Sequence, residues 1–124
     1  MPLPPPTQSE LVILQVLWDR GPSSVRDVQR ALDSSVGYTG FLKLLQLMTA
    51  KGLVRRDESG RAHLYQAAEP RAETEARLVR GLADRAFGGS TVSLVMRALA
   101  DERASPEELR RIRELLDRAD RAAG

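Results

Sequence analysis

The chain contains no cysteine, only one histidine, and aromatic residues make up 4% of its 124 residues. Without cysteine there are no disulfides, no thiolate metal sites and no thiol nucleophile, which fits a reducing cytoplasm. So few aromatics point to packed aliphatic helices rather than a sheet-rich core. His63 has no companion ligands at metal-binding spacing and no partner for a serine triad. As a lone histidine on a strand it reads as structural or surface-exposed. No apolar run is long enough to span a bilayer. The start, Met1 to Pro6, has neither a basic region nor an apolar run, so no signal peptide is expected. Gly88-Gly89 lacks the pattern of a phosphate-cradling loop. The pairs Asp101-Glu102 and Glu107-Glu108 read as helix-boundary and first-turn residues. No nucleophile, base or metal set converges, so neither an enzyme nor a cofactor is expected.

What is present is charge, unevenly spread. The formal net charge is only +2. Between residues 35 and 66, however, Lys43, Lys51, Arg55, Arg56 and Arg61 face only Asp57 and Glu58. From residue 69 to the end arginines and carboxylates balance. A basic middle and a neutral, mixed second half suggest a nucleic-acid surface joined to a protein-contact region. The length allows one small domain with an association appendage, and half the chain alone would be marginal.

Helix signals dominate. After Pro4-Pro5-Pro6, Thr7 and Glu10 form a capping-box pattern, and Leu11, Leu14, Leu17 and Trp18 recur at helical spacing up to Gly21-Pro22. Trp18 reads as core. Ser24 and Asp27 open a second helix with Val25, Val28, Ala31 and Leu32 on one face. The stretch from Ser34 to Gly37 breaks it. A third helix is predicted over Thr39 to Lys51, with Gly52 as its terminating glycine. Leu53–Arg56 and Ala62–Tyr65 read as strands around the polar turn Asp57–Gly60. Pro70 restarts a helix at its first turn, Gly88-Gly89 end it, and Ser90 and Ser105 cap two more.

Three helices and a hairpin in this order make a winged helix-turn-helix, whose second motif helix enters the major groove. In Thr39–Lys51, Phe41, Leu44, Leu45 and Met48 form the inner stripe. The opposite face carries Thr39, Lys43, Gln46 and Ala50, flanked by Gly40 and Leu47. Threonine, lysine and glutamine side chains suit phosphates and base edges, and glycine permits close approach. Leu47 fits either a thymine methyl or the domain's own packing. Tyr38 fits either a helix cap or a phosphate contact. Arg56 and Arg61 on the wing suit phosphate or the minor groove, Arg55 less so. The predicted DNA-contacting set is Ser24, Tyr38, Thr39, Gly40, Lys43, Gln46, Lys51, Arg56 and Arg61. The alternative is a winged-helix protein-interaction module without specific DNA binding.

Several stretches carry a family resemblance: Glu10–Gly21, Ser24–Val28, Gly37–Arg56, Gly60–Tyr65, Phe87–Ser90 and Ser105–Leu109. In them the chain resembles the BlaI/MecI-type penicillinase repressors. The resemblance implies a mainly α protein, with a winged helix over residues 1–68 and a helical dimerisation region over 69–124. It implies a homodimeric transcriptional repressor on a pseudo-palindromic DNA operator. Leu78, Leu82, Phe87, Leu94, Leu99, Leu109, Ile112 and Leu116 are the expected dimer contacts; the alternative is that they pack within one chain. Tyr38 and Thr39 match the start of the family's recognition helix. Gly40 stands where a second threonine is common, and Leu47 where many members have arginine. In antibiotic-responsive members a membrane sensor-protease system leads to cleavage of an Asn-Phe bond. Here Arg97-Ala98 stands at that place, so release by that cut is not expected. Copper-responsive relatives use cysteines, which this chain lacks.

Overall fold

The computed structural model describes residues 3–33, 35–101 and 103–123. Met1, Pro2, Ser34 and Glu102 lie outside the described residues, and with them part of the leader, of the expected break after the second helix and of the Asp101-Glu102 pair.

The order is α1 (Gln8–Arg20), α2 (Val25–Leu32), α3 (Tyr38–Lys51), β1 (Val54–Asp57), β2 (Leu64–Ala67), α4 (Arg71–Ala86), α5 (Thr91–Asp101) and α6 (Pro106–Ala123). Local chemistry accounts for the helix ends. Thr7 and Glu10 close a reciprocal capping box on α1, as do Ser24 and Asp27 on α2. Gly52, at φ 84°, ends α3, and the Leu53 amide then bonds back to the Met48 carbonyl at 2.9 Å. Ser90 caps α5, and Ser105 with Glu108 forms the box that starts α6.

The core lies among α1, α2, α3 and the hairpin. Ile13, Leu14, Leu17, Val28, Phe41, Leu45, Met48, Leu53, Val54 and Tyr65 are all buried there. The buried arc of α1 is wider than the predicted stripe and turned from it. Ile13 and Val16 are inside, while Leu11 and Trp18 are only half-buried at the rim. The reason is that α1 meets both α2 and the hairpin strand β2.

The strands sit later than the predicted Leu53–Arg56 and Ala62–Tyr65. β1 and β2 pair antiparallel, with Val54 opposite Ala67 and Arg56 opposite Tyr65. Leu53 is already used by the α3 terminus, so the ladder starts one residue on. The shift in β2 has a second cause. The Tyr65 amide donates to the Ser23 carbonyl at 2.8 Å, and the Ser23 amide to the Tyr65 carbonyl at 2.9 Å. Buried Tyr65 is thus held between β1 and the residue just ahead of α2, which anchors the wing to the start of the helix-turn-helix.

The chain divides into two compact units, Met1–Gly81 and Leu82–Gly124. The division falls inside α4 and not at the expected Ala68–Glu69. Polar contacts explain the difference. Trp18 Nε1 donates to the Glu69 carbonyl at 3.0 Å, and Arg71 bonds Asp19 at 2.6 Å while lying 5.4 Å over the Trp18 ring. Buried Thr74 bonds Glu69 at 2.8 Å, and Arg77 pairs with Glu69 and donates to the Leu3 carbonyl at 3.0 Å. These contacts hold the first turns of α4 against the winged helix. Pro70 stands just ahead of α4, its carbonyl accepting from the Glu73 and Thr74 amides.

In the second unit no described residue of α5 or α6 is buried. No helix among the described residues is long and apolar enough to cross a membrane.

Candidate nucleic-acid interface

Two faces of the first unit carry the polar groups singled out above. One is the outer side of α3. Burial of Phe41, Leu45 and Met48 fixes the rotation of the helix, and Leu44 is half-buried beside them. Thr39, Lys43, Gln46, Leu47 and Ala50 are consequently exposed together. Nothing at the α3 N-terminus caps it with a side chain, because Gly37 is the cap residue. Its first amides remain open to an external acceptor.

The other is a cleft of about 430 Å³ where the starts of α2 and α3 meet the base of the wing. Ser24, Arg26, Tyr38, Leu42, Arg61, His63 and Tyr65 line it. The Ser24 hydroxyl accepts from the Asp27 amide at 3.1 Å as part of the α2 capping box. Hydrogen bonds from the Ser24 amide and hydroxyl hold the Asp27 carboxyl below the usual carboxylate range. The Arg26 guanidinium lies 5.6 Å over the Tyr38 ring. Arg61 and His63 are exposed on the opposite wall.

Arg26 was not in the expected set; the structure places it in the first turn of α2, on the wall of this cleft. Arg56 shares the core-facing side of β1 with Val54, at the strand's outer end, and pairs with Glu58; Arg55 points to the other side.

Two other residues of the expected set have different surroundings. Lys51 Nζ bonds Glu10 Oε2 at 2.8 Å, and Glu10 is only 2% exposed. The ammonium is the counter-ion of a buried carboxylate, which draws it away from the outer face of α3. Burial pushes the Glu10 carboxyl up. The hydrogen bond from Lys51 and those from Thr7 outweigh this and leave it below its ordinary value. Gly40 is half-buried, and a Cβ there would stand 2.6 Å from Val36 Cγ1. The missing side chain makes room for Val36 as much as for any ligand. Gly40→Thr is expected to cost about 1 kcal/mol by overpacking, and less when Val36→Ala is introduced with it. Urea unfolding midpoints over the four-membered cycle check this. Equal losses in both backgrounds would remove Val36 as the reason for the glycine.

Of the expected dimer contacts, Leu78 is half-buried and lines a cleft of the first unit with Leu11, Trp18 and Arg71. Phe87, Leu94 and Ile112 are half-buried, and Leu82, Leu99, Leu109 and Leu116 are exposed. Val92 and Val95, apolar positions of this helix in the sequence, and Met96 were not among the expected dimer contacts; with Leu99 they form an exposed i, i+3, i+4, i+7 stripe on α5.

Three solved structures are similar to this chain. The ferric uptake regulator from Pseudomonas aeruginosa, solved with manganese, is 24% identical over 65% of this chain and 78% of its own, with a TM-score of 0.43. The solution structure of apo-NmtR is 24% identical, covering 80% of this chain and 73% of its own, with a TM-score of 0.47. AbfR of Staphylococcus epidermidis is 16% identical, covering 95% and 74%, with a TM-score of 0.47. No curated protein matches the chain. The sequence profile described as penicillinase repressor matches residues 6–118. Since that match spans the winged helix and most of the helices after it, the chain belongs to the penicillinase repressor family of DNA-binding transcriptional repressors.

Proposed function

We propose that the protein works as a homodimer on a pseudo-palindromic operator, with α3 of each copy in the major groove. The observation that carries this is the outer face of α3. Thr39, Lys43 and Gln46 share one exposed side of a helix whose other side is locked into the core. Lys43 suits guanine or phosphate, Gln46 suits adenine, and Thr39 and Tyr38 suit the backbone near the open amides of α3. Ser24, Arg26 and Arg61 line the neighbouring cleft, which suits a phosphate. Arg56 exchanges Glu58 for phosphate on the wing. One winged helix makes few contacts, so a second copy supplies the missing half.

Dimerisation belongs to the helical region over 69–124, chiefly to α5 and α6. Val92, Val95, Met96 and Leu99 on α5 and Leu109, Leu115 and Leu116 on α6 are exposed, and a second copy covers them. A cytoplasmic location goes with this reading, alongside the DNA. A membrane sensor-protease system stays open as a partner in this reading, but with Arg97-Ala98 at the place of the family's cleavable pair the reading does not rest on a cut there.

A salt titration of binding to the DNA upstream of its own gene tests the reading. The log–log slope of affinity against salt is expected near −7, as for about eight phosphates neutralised by the dimer. A slope near zero would instead make the protein a protein-interaction module.

A further inference from the structure

Leu47 is the one large apolar side chain on the outer face of α3, and 47% of it is exposed. It stands one turn after Lys43, its neighbour on the same strip of the helix, so in a groove the two side chains meet the same or adjoining base pairs. In a groove this side chain loses its water and offers no hydrogen bond in return. A purine edge pressed against it would be stripped of water at N7 or O6 with nothing to replace it. The 5-methyl group of thymine is the apolar feature of the major groove, and contact with it costs no lost partner. Ala50, three residues on, is exposed and small, leaving room for a base edge beside Leu47.

Building on the DNA-binding reading, we infer that Leu47 is a specificity-determining residue that selects thymine, through its 5-methyl group, at one position in each half-site. It does so by contact with the methyl and by excluding polar base edges. Gln46 beside it bonds adenine at a neighbouring pair.

The test uses the full-length protein. Its preferred site is selected from random duplexes, and each thymine of that site is replaced in turn by uracil, which lacks only the methyl group. Titration by fluorescence anisotropy is expected to single out one thymine per half-site. Its loss should weaken binding about fourfold in one half and about fifteenfold in both, the effect of burying one or two methyl groups. Leu47→Ala should bind the thymine and uracil duplexes alike. The residue is exposed, and alanine favours helix, so the fold is kept. Uracil without effect at any position overturns the inference, as does a Leu47→Ala protein that keeps the full uracil penalty. A selected site without thymine in the groove facing α3 overturns the inference but leaves the repressor reading standing. Selection that enriches no sequence at all overturns both.

Discussion

Changing Val95 and Met96 to glutamate is expected to yield a folded monomer that holds its operator about a hundredfold to a thousandfold more weakly. In the single chain α5 keeps a full apolar stripe in water, with Val92 and Met96 each 67% exposed and Val95 and Leu99 beside them. Leu115 and Leu116 on α6 are equally uncovered. Covering such half-exposed aliphatic groups is worth about 1 kcal/mol apiece, and the set on two copies reaches about 10 kcal/mol. Association costs about 4–15 kcal/mol before any gain, so this set is large enough to decide whether a dimer forms. Two glutamates per copy remove part of it and bring charges that have no partner once covered. Neither residue is buried in the chain itself, so helix content should be unchanged. The loss in DNA affinity follows from effective concentration: without its partner, a second winged helix must be captured from solution. Analytical ultracentrifugation and operator titration check the two halves of the statement. If the variant remains a dimer, the α5 stripe is not the interface. A monomer with undiminished affinity would separate dimerisation from DNA binding.

How much of this was legible in the sequence depends on the range of the interaction that decides each feature. Helix starts at Thr7, Ser24 and Ser105 were readable because a capping box is complete within four residues. The rotation of α3 was readable because Phe41, Leu45 and Met48 repeat at helical spacing with polar residues opposite. The hairpin register was not. It is decided by the pairing of Tyr65 with Ser23, and nothing around residue 65 announces that partner. The division into compact units inside α4 was not legible for a related reason. α4 is fastened to the first unit by Trp18, Glu69, Arg71, Thr74 and Arg77, polar or amphipathic groups that leave no trace in an apolar pattern. On α5, Leu94 and Leu99 looked alike as apolar residues, yet Leu94 is half-buried and Leu99 exposed. Within the candidate interface, the outward placing of Thr39, Lys43 and Gln46 was readable from helical spacing. The surroundings of Lys51 were not, because its partner lies 41 residues earlier in the chain.

That distant partner makes Lys51→Met a strongly destabilising change for a residue at the surface of the winged helix. Glu10 spends one carboxylate oxygen on the Thr7 amide at 2.8 Å and the other on Lys51 at 2.8 Å, tying the start of α1 to the end of α3. Removing the ammonium leaves a buried carboxylate with the Thr7 hydrogen bonds alone. The half-open position of Lys51 places the cost below that of breaking a fully buried pair, at about 2 kcal/mol near pH 7, or roughly 6–10 °C in Tm. The pH dependence distinguishes this from a generic packing loss. In the native protein Glu10 titrates below its ordinary value, so its stabilising contribution is present above the unfolded carboxylate pKa and disappears as pH falls through the folded one. In Lys51→Met the burial that pushes the carboxyl up is no longer outweighed, and protonation relieves the variant as pH falls. The gap in stability between the two proteins is therefore expected to be widest at neutral pH and to close on acidification toward pH ~4. Adding Glu10→Gln to Lys51→Met should recover most of the neutral-pH loss, since the amide carbonyl still accepts from Thr7 and no charge remains to be paired. Thermal unfolding of the three proteins between neutral pH and pH ~4 gives these differences directly. A gap that stays constant with pH would mean that Lys51 contributes through its methylene stem and not its charge. At a temperature where all three are folded, operator affinity should be nearly equal among them; a steep loss in Lys51→Met alone would return Lys51 to the DNA-contacting set.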